Sequence, residues 1–181
     1  MRWSNTTSSW GWISILMHWL SALVIIGLFA LGLWMVDLTY YDDWYRTAPN
    51  LHRSVGILLF IATVLRLAWT KTNVTPSVLQ NHKTWERQAA HIAHVAMYVV
   101  LFAIMISGYL ISTADGRSIH VFDWFEIPAS LHGLKNQEDI AGEIHFILAV
   151  SLITLAAIHA AGALKHHFID RDNTLRRIIG K

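Results

Sequence analysis

Cysteine is absent from this 181-residue chain. Its absence excludes disulfides, iron–sulfur clusters and thiolate-bound metals. Charge is scarce as well. Asp, Glu, Lys and Arg together make up 14% of the residues, where a soluble domain carries about 25%. Proline occurs three times, at positions 49, 76 and 128, so little interrupts long helices. With 54% hydrophobic residues and a mean hydropathy of +0.40, a disordered chain is excluded and a soluble globule is a poor fit. The length suits one domain, residues 1–181. Against these absences stand eleven histidines, an imbalance that asks for a chemical reason.

Residues 12–36 and 89–114 contain no Asp, Glu, Lys or Arg, and neither do residues 144–164. Each run exceeds the roughly 20 residues that cross a bilayer as a helix. A fourth run, residues 55–69, is interrupted only by Arg66 and is long enough when counted from Leu51. Helices are therefore expected at about 12–36, 51–70, 89–114 and 141–167. A soluble four-helix bundle would need a polar stripe on every helix, and the first and third runs have none. The expectation is an all-α membrane protein, a four-helix transmembrane bundle, since lipid leaves the backbone few other ways to satisfy its hydrogen bonds. All three prolines are expected in loops. The first apolar run is too long for a cleaved signal peptide, and no small-residue cleavage site follows it.

Lys and Arg in short loops set the orientation. The N-terminus, the second loop and the C-terminal tail hold Arg2, Arg66, Lys71, Lys83, Arg87, Lys165, Arg171, Arg176, Arg177 and Lys181. The first and third loops hold Arg46, Arg53, Arg117 and Lys135. Both termini are thus expected on the cytoplasmic side of a bacterial inner membrane. Tryptophans at 10, 12, 69 and 85 fall near the inner boundary, and those at 34, 44 and 124 near the outer one.

An ionisable residue inside a span is costly and marks function by default. His18 lies shallow on the inner side of the first helix. His52 opens the second helix on the outer side. His145 and His159 lie near the two ends of the fourth. Fourteen residues rise about 21 Å and fall about 40° short of four full turns, so His145 and His159 share nearly one face at two depths. Depth pairs His18 with His159 and His52 with His145. Two imidazoles facing each other across a gap between helices are what a six-coordinate haem iron needs. Two other readings are a chain of hydrogen-bonded histidines and a metal or proton transporter. Neither accounts for two matched depths, and a transporter would be expected to carry membrane carboxylates or broken helices.

Glycines lie one turn from three of these histidines: Gly56 after His52, Gly142 before His145 and Gly162 after His159. They leave room either for a macrocycle edge or for close helix packing. Arg66 follows His52 by fourteen residues, on the same face at the inner depth. It suits an inner haem propionate or snorkels to headgroups.

The segments that carry these residues resemble the bacterial cytochrome b561 family. They are Met17-His18-Trp19-Leu20, Leu51-His52-Arg53-Ser54-Val55-Gly56, His94-Val95-Ala96-Met97-Tyr98 and Ser107-Gly108-Tyr109. Further along come His145, His159, Lys165-His166-His167-Phe168 and Asp172-Asn173-Thr174-Leu175. Gly32-Leu33-Trp34-Met35 and the run from Gly108 to Gly116 look like one subgroup, whose relatives include superoxide oxidases. The resemblance spans residues 12–177. It implies two b-type haems on His18, His52, His145 and His159, and electron exchange with membrane quinone, ubiquinone above all. For some members it also implies superoxide oxidation at the outer face. Expected partners are lipid, quinone, and superoxide or a periplasmic redox protein, not nucleic acid. The alternative is a non-enzymatic haem anchor that wires a partner redox protein to quinone.

His94 shares a helix face with His91 and suits an inner propionate or a quinone headgroup, where imidazole can move a proton near neutral pH. Lys165, His166 and His167 form a basic cluster at a helix end, suited to its dipole and to anionic lipid, with Lys165 in reach of a propionate. Residues 121–125 read as an interfacial anchor in preference to a lid over the outer site. Arg53 and Arg117 offer local positive charge in an outer region rich in acids. His82, His120 and His132 are read as loop residues without a role.

Overall fold

The computed structural model describes residues 2–77 and 83–180, so His82 and Lys181 lie outside the described residues. Four long helices dominate: α1 (Trp12–Met35), α2 (Thr47–Thr72), α3 (Thr84–Ser112) and α4 (Gln137–Phe168). Between α3 and α4 a short antiparallel hairpin pairs β1 (Ile119–Val121) with β2 (Phe125–Ile127). A last short helix, α5 (Thr174–Ile178), follows α4. The shortest long helix has 24 residues, or about 36 Å at 1.5 Å per residue, enough for a hydrocarbon layer of about 30 Å. All four are apolar enough to cross a membrane. They turn large apolar side chains outward, among them Leu16, Leu23, Ile92, Ile147 and Ile158. In water such surfaces would aggregate; in lipid they are solvated. The chain is a multi-pass membrane protein.

The helices begin earlier than hydropathy alone suggests. α2, α3 and α4 start at Thr47, Thr84 and Gln137 rather than near 51, 89 and 141. A first helical turn tolerates polar residues because its N–H groups point out of the ladder and favour negative charge. Glu86 accepts a hydrogen bond from the Lys83 N–H at 3.0 Å, and Glu138 and Asp139 occupy the first turn of α4. The same principle corrects the expectation for Pro49. It lies within the first turn of α2, not in a loop, where its missing N–H costs nothing.

α1 packs along α2, and α3 along α4, while the two pairs meet through α2 and α3. Leu59, Leu101 and Leu152 form the buried centre of that contact, with Leu28, Met97 and Ile104 around them. At one end of the bundle the termini are tied together. Arg177 donates to the Ser77 and Ser8 carbonyls at 2.9 Å each, and Trp19 Nε1 donates to the Ile178 carbonyl at 2.9 Å. The hairpin covers the opposite end. Val121 is fully buried against α2, and Ser54 accepts from the Phe122 N–H at 3.3 Å. Trp124 at the hairpin tip is exposed. The segment therefore combines a packed lid with an outward aromatic tip.

Lys165 fastens α3 to α4. Its Nζ lies 2.7 Å from Glu86 Oε1 and 2.7 Å from Asp170 Oδ2, so it is engaged with these acids. The Lys165 ammonium, and after it His166, holds the Asp170 carboxyl below its ordinary value of 3.8. A carboxyl that titrates lower in the folded state stabilises above its unfolded value and loses that contribution as pH falls through the folded one. The contribution of this contact to thermal stability should thus be present at pH 7 and be lost on acidification below about 4. Lys165→Ala should lower the unfolding temperature at pH 7 and shrink the acid-induced drop, both readable by scanning calorimetry.

Candidate functional site

Two side-chain clusters lie inside the bundle, one toward each end. α2 and α4 connect them, since each carries a residue of both: His52 and Arg66 on α2, His145 and His159 on α4. In each helix the separation is fourteen residues, about 21 Å along the axis.

Toward the hairpin end, His52 and His145 face each other with ring centroids 6.2 Å apart and planes at 65°. His145 Nδ1 lies 3.0 Å from the Ile104 carbonyl oxygen and 3.2 Å from Ser107 Oγ. A carbonyl can only accept, so Nδ1 carries the proton and Nε2 keeps its lone pair. That is the tautomer a histidine needs to bind a metal through Nε2, fixed by its outer hydrogen bond. The Nδ1 atom of His52 is buried without a hydrogen-bond partner among the described residues.

Each ring also sits in a glycine notch on the neighbouring helix. A Cβ at Gly108 would stand 3.2 Å from His145 Cε1, and one at Gly32 would stand 3.4 Å from His52 Cε1. Sequence reading placed both glycines in family-like segments but gave them no part in the site. Their role depends on which helix faces the histidine, which spacing within one helix does not reveal. At Gly56, Gly142 and Gly162 a Cβ would meet, beyond its own turn of helix, no atom of the described residues within 4 Å.

Toward the end that carries the termini, Arg66 Nη2 donates to His18 Nδ1 at 3.1 Å. His94 and His159 lie ring to ring, centroids 4.8 Å apart, and both are within electrostatic reach of His18. The Arg66 guanidinium also approaches the Tyr98 ring at 5.8 Å. The structure thus brings together His18, Arg66, His94 and His159 from all four helices. The contact between Arg66 and His18 was not foreseen, nor was the part of Tyr98. His91 is exposed beside this cluster.

At the rim near His52, Arg53 donates to the Pro49 carbonyl at 3.3 Å and also pairs with Asn50 Oδ1. Arg117 donates to Asp115 Oδ2 at 2.6 Å. That hydrogen bond holds the Asp115 carboxyl below the usual range and raises Arg117. The two arginines are electrostatic neighbours, with Asp115 beside them. His120 pairs with Glu126 at 3.1 Å on the exposed hairpin.

A membrane bundle of four helices with two internal imidazole clusters, one holding a histidine fixed in the ligating tautomer, is the architecture of a transmembrane cytochrome b. A family model described as Prokaryotic cytochrome b561 matches residues 9–181. The chain is 52% identical over 181 residues to Cytochrome b561 homolog 2 of Escherichia coli (strain K12), spanning 100% of this chain and 96% of that protein. It is 25% identical over 165 residues to Cytochrome b561 homolog 1 of the same organism (91% and 93%). It is 27% identical over 170 residues to Probable superoxide oxidase CybB of Yersinia pestis (93% and 94%). The chain belongs to the prokaryotic cytochrome b561 family. Membership implies b-type haem and transmembrane electron transfer.

Proposed function

We propose that this protein carries single electrons across the bacterial inner membrane between two b-type haems, with ubiquinone as a partner. One haem is held by His52 and His145, the other by His18 and His159. The observation that carries this reading is the 6.2 Å between the His52 and His145 ring centroids. Two imidazoles bound to one metal from opposite sides, at about 2.0 Å per bond, have centroids about 6 Å apart. The Nδ1–H of His145, directed at the Ile104 carbonyl, keeps Nε2 free to ligate. The open flanks of Gly56, Gly142 and Gly162 suit a flat group beside these histidines.

Bound haem supplies reversible one-electron chemistry at iron. The chain's own residues do the rest. Arg66 and His94 border the second cluster as a cation and a titratable imidazole. There they receive a propionate or a quinone headgroup and a proton. The buried side chains of Ile119 and Val121 in β1, with Ser54, cover the bundle end near His52. The excess of Lys and Arg at the end with the termini puts that end in the cytoplasm. The single domain is residues 1–181.

The relative named Probable superoxide oxidase suggests the other substrate. Superoxide, an anion, would arrive near Arg53 at the hairpin end, where Asp115 offsets the charge of Arg117. Purified protein supplied with superoxide should reduce ubiquinone faster than the uncatalysed reaction. A rate equal to the uncatalysed one would favour an anchor that serves another redox protein.

A further inference from the structure

The environments of the ligand imidazoles differ in one respect. His145 Nδ1–H has two acceptors: the Ile104 carbonyl oxygen at 3.0 Å and Ser107 Oγ at 3.2 Å. The Ser107 hydroxyl donates its own proton to the same Ile104 oxygen at 2.9 Å, which leaves its lone pairs for the imidazole. Ser107 is 5% exposed, so its hydroxyl is shielded within the contact with Ile104 and His145. At the other cluster the relation is reversed, because His18 Nδ1 faces a donor, the Arg66 guanidinium.

Resting on the assignment of His145 as a haem ligand, we propose that Ser107 is a positioning residue that lowers the redox potential of the haem held by His52 and His145. An acceptor at Nδ1–H draws the proton outward and makes Nε2 a stronger electron donor. A stronger donor stabilises ferric over ferrous iron, so the haem becomes harder to reduce. Ser107 also fixes the rotation of the ring, which the Gly108 notch confines from the other side. A serine that only satisfied its own helix would need no second partner; the Ile104 carbonyl already meets that demand.

The test is a redox titration of the purified holoprotein followed by haem absorbance. Ser107→Ala should keep both haems and raise one midpoint, while the other stays at the wild-type value. The loss of one neutral hydrogen bond limits the change to about tenfold in that haem's reduction equilibrium, or about 59 mV for one electron. Ser107→Thr, which keeps the hydroxyl, should return the midpoint toward wild type. Two unchanged midpoints in Ser107→Ala would overturn the proposal, and so would two equal shifts. A Ser107→Thr shift as large as that of alanine would overturn it too, because packing rather than the hydroxyl would then be the cause. His145→Ala separates this failure from failure of the ligand assignment. If that variant keeps both haems, His145 is not a ligand; if it loses one while Ser107→Ala moves nothing, only the role of Ser107 falls.

Discussion

His145→Ala should halve the haem content of the purified protein, from two per chain to one, and leave the remaining haem with its wild-type spectrum. The expectation follows from the separation of the two clusters. About 21 Å of α4 lies between His145 and His159, and the residues that border the second cluster do not touch the first. The retained haem serves as an internal control, because a misfolded bundle would lose both. His52→Ala should remove the same haem as His145→Ala, and the double variant should lose no more than either single one, since both imidazoles serve one iron. His18→Ala and His159→Ala should remove the other. Haem-to-protein ratios of the four single variants and one crossed double, His18→Ala with His145→Ala, decide the pairing. The crossed double should bind none.

Gly108→Val should eliminate the same haem as His145→Ala although no ligand is changed. A Cβ at Gly108 already stands 3.2 Å from His145 Cε1 and 3.4 Å from Nδ1, and the two further methyl groups of valine need the space of the ring. Displacing the imidazole breaks its hydrogen bonds to Ile104 and Ser107, and overpacking of this kind costs about 1–3 kcal/mol. The matched control is Gly27→Val, because a Cβ at Gly27 meets no atom within 4 Å. It should bind two haems. Gly32→Val should act as Gly108→Val does, more mildly, since its nearest contact is 3.4 Å from His52 Cε1.

The contrast between these positions marks how far a single sequence can be read. Four spans were legible because lipid demands long apolar helices and the chain has four such runs. That His52 and His145 would lie side by side was legible because depth along a helix follows from residue count alone. Helix starts were read late, since the first turns at Thr47, Thr84 and Gln137 are polar and the membrane signal is apolar. Pro49 was misplaced for the same reason. The glycine notches and the Ser107 contact were out of reach. They depend on the rotation of α3 against α4 and of α1 against α2, which no spacing within one helix encodes. Arg66 was placed at the right depth, but its bond to His18 joins α1 and α2 and is visible only once they pack. Lys165 was read as free to meet lipid or a propionate; its partner Glu86 lies on α3, out of view of helix-end composition, while Asp170 stands two residues past the end of α4 and was within view.

The central claim is that this bundle holds two haems, each between two histidines from different helices. The most direct test is the absorbance spectrum of the purified wild-type protein, oxidised and dithionite-reduced, with haem and protein quantified on the same sample. The account predicts low-spin b-type haem at two per chain, unchanged by added carbon monoxide because both axial positions of each iron are filled. One haem per chain, or a high-spin spectrum that carbon monoxide alters, would contradict it.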